Sequence, residues 1–237
     1  MRLTGRLTAA AISALCLLGA SGCSGDDAKP APTQQAAPSA AQRLAVAKTT
    51  LDSTPSVHLT LTGSDLPEGT NGIISADGVG THPPAFKGTF KVRLGGIEAD
   101  AEITSVDGDV YAKLPLIPGT NKIDPKTFGV PDPATLFSTD TGITSLLTAT
   151  AEPTLGGQVR NGSDVLTTVT GTLPGASVVD LFGIGDRNGT FAATYGLTDA
   201  DELRTVKLTG PFHGAGTTST YSLVLDRYGD PVTIVKP

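Results

Sequence analysis

Cysteine is almost absent from this 237-residue chain. Its two cysteines, Cys16 and Cys23, both lie within the first tenth of the sequence. The rest of the chain therefore cannot form a disulfide, and it has no thiol that could bind a metal or act as a nucleophile. Tryptophan is missing and aromatic residues make up 5% of the chain, whereas glycine occurs 29 times. Few large side chains and many glycines are typical either of a hollow fold or of a turn-rich β protein.

Catalytic motifs are missing as well. The three histidines, His58, His82 and His213, are far apart in the sequence, and none has the spacing of a metal-ligand pair. The chain has no G-x-S-x-G motif, no phosphate-binding P-loop and no G-x-G-x-x-G motif. The segment DRNG at 186–189 resembles the start of a calcium-binding loop but lacks the glycine and glutamate that complete one. We therefore predict that the protein is not an enzyme and carries no metal and no cofactor.

Basic residues are outnumbered by acidic ones. Beyond the first 22 residues, 15 lysines and arginines face 23 aspartates and glutamates, a formal charge of −8. Phosphate backbones and anionic lipid surfaces attract proteins of the opposite sign. We therefore expect no nucleic-acid partner and no electrostatic adhesion to a membrane.

The first 23 residues have the pattern of a bacterial lipoprotein signal. Two arginines precede an apolar run at 7–20, which is shorter than the about 20 residues that span a bilayer but has the length of a signal-peptide core. The next segment, Ala-Ser-Gly-Cys at 20–23, resembles the lipobox, whose cysteine receives a diacylglyceryl thioether and becomes the new N-terminus. Ala20 stands where that motif usually has leucine. The alternative is an ordinary secretory signal, cleaved near Ala20 or Gly22.

This pattern predicts three regions along the chain. Residues 1–22 form the signal peptide, residues 23–39 the acylated Cys23 with a flexible tether rich in Ala, Pro and Gln, and residues 40–237 a single domain. Two acyl chains or more give stable anchoring. We expect the domain to be held on the cell membrane, facing the periplasm or cell envelope, with the cell surface as a further location.

Apolar and polar residues alternate with a period of two through most of the domain, which is typical of strands buried on one side. We expect about ten strands, among them 56–63, 85–94, 97–104, 109–114, 164–173, 189–197, 202–210, 218–226 and 231–236. Gly95–Gly96 and Asp107–Gly108 are typical of tight hairpin turns. The pattern predicts one large, strongly curved antiparallel sheet.

Three segments are predicted to be helical. The first starts after Ser39 as N-cap and ends before Pro55. The second, at 132–150, is divided in two by Gly142, and the third is an apolar stretch at 174–185. Because the polar outer face of the sheet can face water, these helices should cover its apolar inner face.

Several segments together resemble the LppX/LprA/LprF/LprG lipoprotein family of mycobacteria and related bacteria. The resemblance is carried by the lipobox with its tether and by SVHLTLTG at 56–63, VRLGGIEADAEITSVDGDVYAKL at 92–114, DPATLFSTDTGITSLL at 132–147 and LDRYGDPVTIVKP at 225–237. Its most specific parts are DP-x-x-L-F with D-T-G at 132–142 and aromatic-Gly-x-x-V at 228–232. Tyr228 stands where the family often has tryptophan.

The resemblance implies a fold of the α+β class, mainly β: an antiparallel half-barrel wrapped around a few helices, with an apolar cavity between sheet and helices. It implies that the protein binds multi-acylated lipids or glycolipids and carries them across the periplasm toward the outer membrane. Some members work with an inner-membrane transporter of the major facilitator type. For this chain we expect a monomer with an acyl lipid as ligand, anchored in the inner membrane through Cys23, and a transporter of that type as partner.

Apolar residues that face the predicted interior are the candidate cavity lining. They are Phe90, Val92, Leu94, Ile97, Ala99, Ala101 and Ile103 from the sheet, and Leu136, Ile143, Leu147, Val178 and Phe182 from the helices. A filled core has the same pattern, so two hypotheses stay open. One is a lipid carrier; the other is an accessory or scaffold subunit of a membrane transporter, with a solid core, an exposed apolar patch and no lipid cargo.

Replacing Cys23 with serine tests the anchor. Without the thiol no thioether forms, so Cys23→Ser should leave the membrane fraction and appear in the medium, while a Cys16→Ser control stays membrane-bound. Immunoblots of fractionated host cells measure the distribution. A Cys23→Ser protein that remains in the membrane fraction would contradict the lipobox interpretation.

Overall fold

Eleven antiparallel strands form one sheet in the computed structural model, which describes residues 37–115 and 117–237. In chain order they are β1 (Ser56–Ser64), β2 (Gly72–Thr81), β3 (Ala85–Leu94), β4 (Ile97–Val106), β5 (Asp109–Lys113), β6 (Asn121–Ile123), β7 (Ala151–Asn161), β8 (Asp164–Pro174), β9 (Thr190–Leu197), β10 (Leu203–Gly210) and β11 (Ser219–Asp226). Their spatial order is β6-β5-β4-β3-β2-β1-β11-β10-β9-β8-β7. Two meanders, β1–β6 and β7–β11, are thus joined where the first strand pairs with the last.

Helical segments cover one face of this sheet, called the inner face below. They are α1 (Ala40–Asp52), α2 (Ser145–Ala149) and α3 (Gly175–Phe182), with 3₁₀ helices at Pro125–Phe128 and Pro133–Phe137. Helix α1 contacts α2, β7 and β10, the second 3₁₀ helix contacts β2 to β4, and α3 contacts β8 and β9. The prediction of an N-cap at Ser39 is confirmed, since its hydroxyl accepts the Gln42 N–H and the Gln42 side chain accepts the Ser39 N–H.

The hairpin between β3 and β4 confirms the predicted turn and pairing. Gly95 and Gly96 have φ values of 57° and 81°, the left-handed conformation that a two-residue hairpin needs and glycine adopts without strain. On the outer face the register sets Arg93 opposite Glu98, with Nη2 and Oε1 2.7 Å apart. We name the two ends of the sheet after Gly95, in this turn, and Ser56, at the opposite end.

The predicted strand at 231–236 is wrong. Residues 231–237 have no regular secondary structure. A strand there would have to pair with the preceding strand, β11, but β11 lies between β1 and β10 and both of its edges are already paired. The Gly229 N–H instead donates to the Ser56 carbonyl at 2.8 Å, and Lys236 Nζ lies 3.0 Å from Asp109 Oδ2. The C-terminal segment therefore runs along the Ser56 end of the sheet from β1 to β5.

Strands β2, β6 and β7 were not predicted from the alternation of apolar residues. In β2 the inner positions include Gly78 and Gly80, where a Cβ would lie 2.5 Å from the Phe86 ring and 2.0 Å from the Phe137 ring. Aromatic rings of neighbouring elements thus occupy the space that apolar side chains of β2 would fill. Strand β7 is an exposed edge strand with a proline and two register irregularities, and such strands have little apolar periodicity.

Gly80→Ala tests this close packing. The new methyl group would overlap the Phe137 ring, so we expect a loss of about 1–3 kcal/mol in the free energy of unfolding. Gly157→Ala is the matched control, since an added Cβ there has no neighbour within 4 Å. Urea unfolding followed by circular dichroism measures both variants. Equal midpoints for the two would contradict the packing at Gly80.

Candidate functional site

From Phe86 on β3 and Ile103 on β4 onward, the inner face of these two strands is apolar, and its burial falls toward the Gly95 end. On β3, Phe86 is fully buried, Phe90 is 8% exposed, Val92 is half-buried and Leu94 is 48% exposed. The opposing residues on β4 follow the same trend and end at Ile97, which is 72% exposed. The apolar face therefore extends beyond the helices that cover it.

Across the whole sheet, the part of the inner face that the helices cover is filled by side chains. Phe86 stacks on Phe137 of the second 3₁₀ helix, with ring centroids 6.2 Å apart. Other side chains in the same cluster have no accessible surface: Val169, Leu173, Val178, Phe191, Leu197, Leu203 and Leu208. A side chain without accessible surface has no water-sized space beside it. Within the residues that the structure describes, these side chains thus pack as a solid core, and an open apolar cavity stays a prediction.

The twelve candidate lining residues fall into three groups. The buried ones are Phe90, Ala101, Ile103, Ile143, Leu147 and Val178. The half-buried ones are Val92, Ala99, Leu136 and Phe182. The exposed ones are Leu94 and Ile97. Val178 packs in the solid part of the core, while Leu94 and Ile97 flank the Gly95 turn outside it. Cys23 lies outside the described residues.

Asp132 fixes the second 3₁₀ helix over β2, β3 and β4. One carboxylate oxygen accepts the Ala134 N–H at 2.9 Å, which is the N-cap contact of this helix, and also accepts the Ser105 hydroxyl of β4. Gly142 then folds the chain back, its N–H donating to the Ser138 carbonyl at 2.8 Å. A Cβ on Gly142 would lie 2.3 Å from that oxygen, so the segment 132–142 requires this glycine. The prediction that Gly142 divides the segment is confirmed.

An aromatic cluster connects the end of α3 to the Gly95 end of the sheet. The ring centroid of Phe212 lies 4.8 Å from those of Phe191 and Tyr221 and 6.5 Å from that of Phe182. The Tyr221 hydroxyl donates to the Ile73 carbonyl at 3.0 Å, and burial raises the pKa of Tyr221. Sequence reasoning missed Phe212 because it stands in a loop, directly after β10, with no periodic pattern around it.

A second buried tyrosine, Tyr195, fixes the end of α2. Its hydroxyl lies 2.7 Å from the Thr150 hydroxyl, and burial raises the pKa of Tyr195 to about 12. The phenol therefore stays neutral and hydrogen-bonded at physiological pH. These contacts join the helical layer to β9 by polar as well as apolar interactions.

A cleft of about 760 Å³ opens at the Ser56 end, between the β5–β6 edge, the segment 124–135 and α3. Val110, Ile123 and Leu181 are apolar residues of its lining, and charged residues of both signs surround them. Among these is Asp109, whose pKa is lowered by hydrogen bonds from Lys122 and Lys236. The mixed lining suits polar groups rather than an acyl chain. Sequence reasoning missed the cleft because it predicted neither β6 nor the first 3₁₀ helix.

Other functional elements are few in the part of the chain that the structure describes. There, no three His, Cys, Asp or Glu side chains group as metal ligands. Also within those residues, no helix is long and apolar enough to span a bilayer. His58, for which no role was predicted, connects three central strands: Nδ1 lies 2.7 Å from Asp226 Oδ1 and Nε2 lies 3.3 Å from Asp77 Oδ2.

Comparison with known proteins places the chain in a family. The profile of the LppX_LprAFG lipoprotein family matches residues 39–234. The chain belongs to this family. Its members are lipid-binding lipoproteins and not enzymes. No curated protein sequence matches the chain.

Solved structures of two members have the same fold as this lipoprotein. LprF from Mycobacterium bovis is 21% identical, with 84% of this chain and 96% of that chain covered and a TM-score of 0.69. LppX from Mycobacterium tuberculosis is 19% identical, with 83% and 98% covered and a TM-score of 0.60. At these identities the likeness concerns the fold, and it confirms the predicted large, curved, unclosed antiparallel sheet packed against helices.

Asp132→Ala tests how the second 3₁₀ helix is held. The variant loses both the N-cap contact and the contact to Ser105, so we expect it to be about 1–2 kcal/mol less stable. Asp124→Ala is the control for the loss of an N-cap contact alone, because Asp124 caps the first 3₁₀ helix by accepting the Lys126 N–H at 3.0 Å. Urea midpoints that fall more for Asp124→Ala than for Asp132→Ala would contradict this role.

Proposed function

We propose that this lipoprotein binds multi-acylated lipids or glycolipids on the inner face of its sheet and carries them through the cell envelope toward the outer membrane. The observation that supports this most strongly is the apolar face that runs along β3 and β4 from Phe86 and Ile103 to Leu94 and Ile97, which is covered at one end and exposed at the other. Burial of acyl chains gains about 0.8 kcal/mol per CH₂, so no reactive group is needed to hold such a cargo.

Acyl chains would enter the covered region by displacing helical segments from the sheet. The small side chains of Ala99 and Ala101 make the inner face of β4 smooth. They lie opposite Val92 and Phe90 of β3. The second 3₁₀ helix is short and is held over the face by the Phe137 ring and the contacts of Asp132. Movement of this segment would expose a longer apolar groove that continues the half-buried part of the face.

The location of this activity follows from the predicted anchor. Acylated Cys23 would hold the protein on the inner membrane, with the tether at 24–39 leaving the domain free in the periplasm. A transporter of the major facilitator type would then be the membrane partner, and the domain would act as a monomer. These proposals rest on the lipobox and on family membership.

Lipid uptake by the soluble chain from Ser24 onward tests the function. We expect native mass spectrometry to detect acyl lipid on protein purified from its own host, and delipidated protein to take up lipid again. Ala99→Trp, which fills the half-buried part of the inner face, should weaken uptake by about tenfold, a change of about 1.4 kcal/mol. Ala192→Trp is the control, because Ala192 is exposed on the outer face of β9. Delipidated wild-type protein that takes up no acyl lipid would overturn the proposal.

The packed core beneath the helices favours a second candidate, an accessory subunit of a membrane transporter without a cargo of its own. This hypothesis expects a solid core together with exposed apolar side chains, and Leu94 and Ile97 are such side chains. Ala99→Trp also separates the two candidates. If the variant takes up no lipid but still co-purifies with the transporter and supports its activity, the accessory role is favoured.

A further inference from the structure

We propose that the Gly95 end of the sheet docks on the surface of a lipid bilayer through the tip of the β3–β4 hairpin. The docking rim consists of Leu94 and Ile97, which flank the two glycines of the turn and are 48% and 72% exposed. Ile117, in the loop that follows β5 at the same end of the sheet, is 50% exposed as well. Exposed aliphatic side chains grouped at the end of an apolar face mark an interaction surface.

The hairpin tip is held in a defined position. The Gly95 N–H donates to the Asn71 Oδ1 at 2.7 Å, which ties the turn to the segment that precedes β2. Both glycines are in the left-handed conformation of a two-residue turn, so the flanking side chains Leu94 and Ile97 lie opposite each other on the same face. The tip therefore presents its two largest apolar side chains side by side.

The charges near the tip are paired with each other, and this favours a lipid surface as the occupant. The cations near the tip are paired on the outer face, Lys91 with Asp100 at 3.2 Å and Arg93 with Glu98 at 2.7 Å. The hairpin tip thus has neither an unmatched charge that an interface would have to desolvate nor a basic patch that would select an acidic partner. Docking through such a tip is apolar in origin and should be insensitive to salt.

The rim is continuous with the inner face where the cargo is proposed to bind. Leu94 and Ile97 are followed inward by Val92 and Ala99, and then by buried Phe90. A bilayer in contact with the rim would place acyl chains next to this apolar path. Docking itself does not depend on the proposed cargo, whereas the use of the rim as an entrance rests on the proposed function.

The tether is long enough to let the Gly95 end of the domain contact the membrane. Helix α1 begins near the Ser56 end, where Arg43 contacts Asp201 and its Nη2 donates to the Thr198 carbonyl at 2.8 Å. The 15 residues from Cys23 to Ala37 span at most about 50 Å when extended. A folded unit of about 200 residues has a radius of gyration of about 16 Å, so its diameter is roughly 40 Å. A domain attached through Cys23 can therefore turn its Gly95 end to the membrane, and the tether raises the local concentration of an otherwise weak contact.

A single introduced tryptophan detects docking, because the chain has none of its own. Ile97→Trp in the chain from Ser24 onward should show a shift of its emission to shorter wavelength when phosphatidylcholine vesicles are added. Val235→Trp is the matched control: Val235 is 67% exposed and lies in the C-terminal segment, which runs along the Ser56 end. A shift in Ile97→Trp alone supports the proposal, and no shift in Ile97→Trp overturns it.

Vesicle co-sedimentation then measures the contribution of the rim. Leu94→Asp with Ile97→Asp should lower binding by at least about tenfold, since two aliphatic side chains no longer enter the bilayer. Val235→Asp should bind as wild type, and high salt should leave wild-type binding unchanged. Urea midpoints verify that the variants fold, since all three positions are exposed. Binding that survives the double substitution, or that requires phosphatidylglycerol and disappears at high salt, would overturn the proposal.

The same variants separate docking from cargo binding. Uptake of a short-chain phospholipid supplied as monomers does not require a bilayer, so Leu94→Asp with Ile97→Asp should keep much of this uptake while losing vesicle binding. If wild-type protein docks on vesicles but takes up no lipid, docking stands and the carrier function fails.

Discussion

The pairing of the first strand with the last holds the structure together. Strand β1 pairs with β11 over seven residues, with Leu59 opposite Leu225 and Leu61 opposite Leu223 on the inner face. On the outer face His58 connects β1 to β11 and β2. Without this pairing the chain would have two separate meanders, each with an unpaired edge beside an apolar face. With it, a single sheet of eleven strands provides one inner face.

That inner face is larger than the helical layer can cover. The helical segments are short, and their contacts concentrate on β7 to β10 and on the Phe86 region of β2 to β4. The Gly95 end of β3 and β4 therefore remains apolar and increasingly exposed, ending at Ile97. The curved sheet is not closed into a barrel, because its edge strands β6 and β7 do not pair with each other, so the apolar surface at this end stays accessible. The proposed lipid site and the proposed membrane docking both rest on this incomplete cover.

Sequence periodicity predicts those elements whose neighbours leave room for ordinary side chains. Strands β3 and β4, their Gly–Gly turn and the cap at Asp132 all follow from local rules. Strand β2 does not, since its Gly78 and Gly80 are dictated by the rings of Phe86 and Phe137. The edge strand β7 and the tail after Tyr228 also depend on which strand edges are already occupied. The cleft at the Ser56 end depends on β6 and the first 3₁₀ helix, which periodicity does not predict, as well as on β5 and α3, which it does.

For the site, the amino-acid sequence by itself determined the family, the apolar identity of the inner face and the scarcity of catalytic groups, because these depend on residue types and local spacing. Tertiary structure decided which of those apolar residues are packed and which are exposed. Val178 and Leu94 are both apolar in the sequence, but one lies on the buried face of helix α3 and the other beside an open turn. Burial depends on how far a short helical layer extends over a wide sheet, and this distance is set by contacts between residues that are remote in the chain.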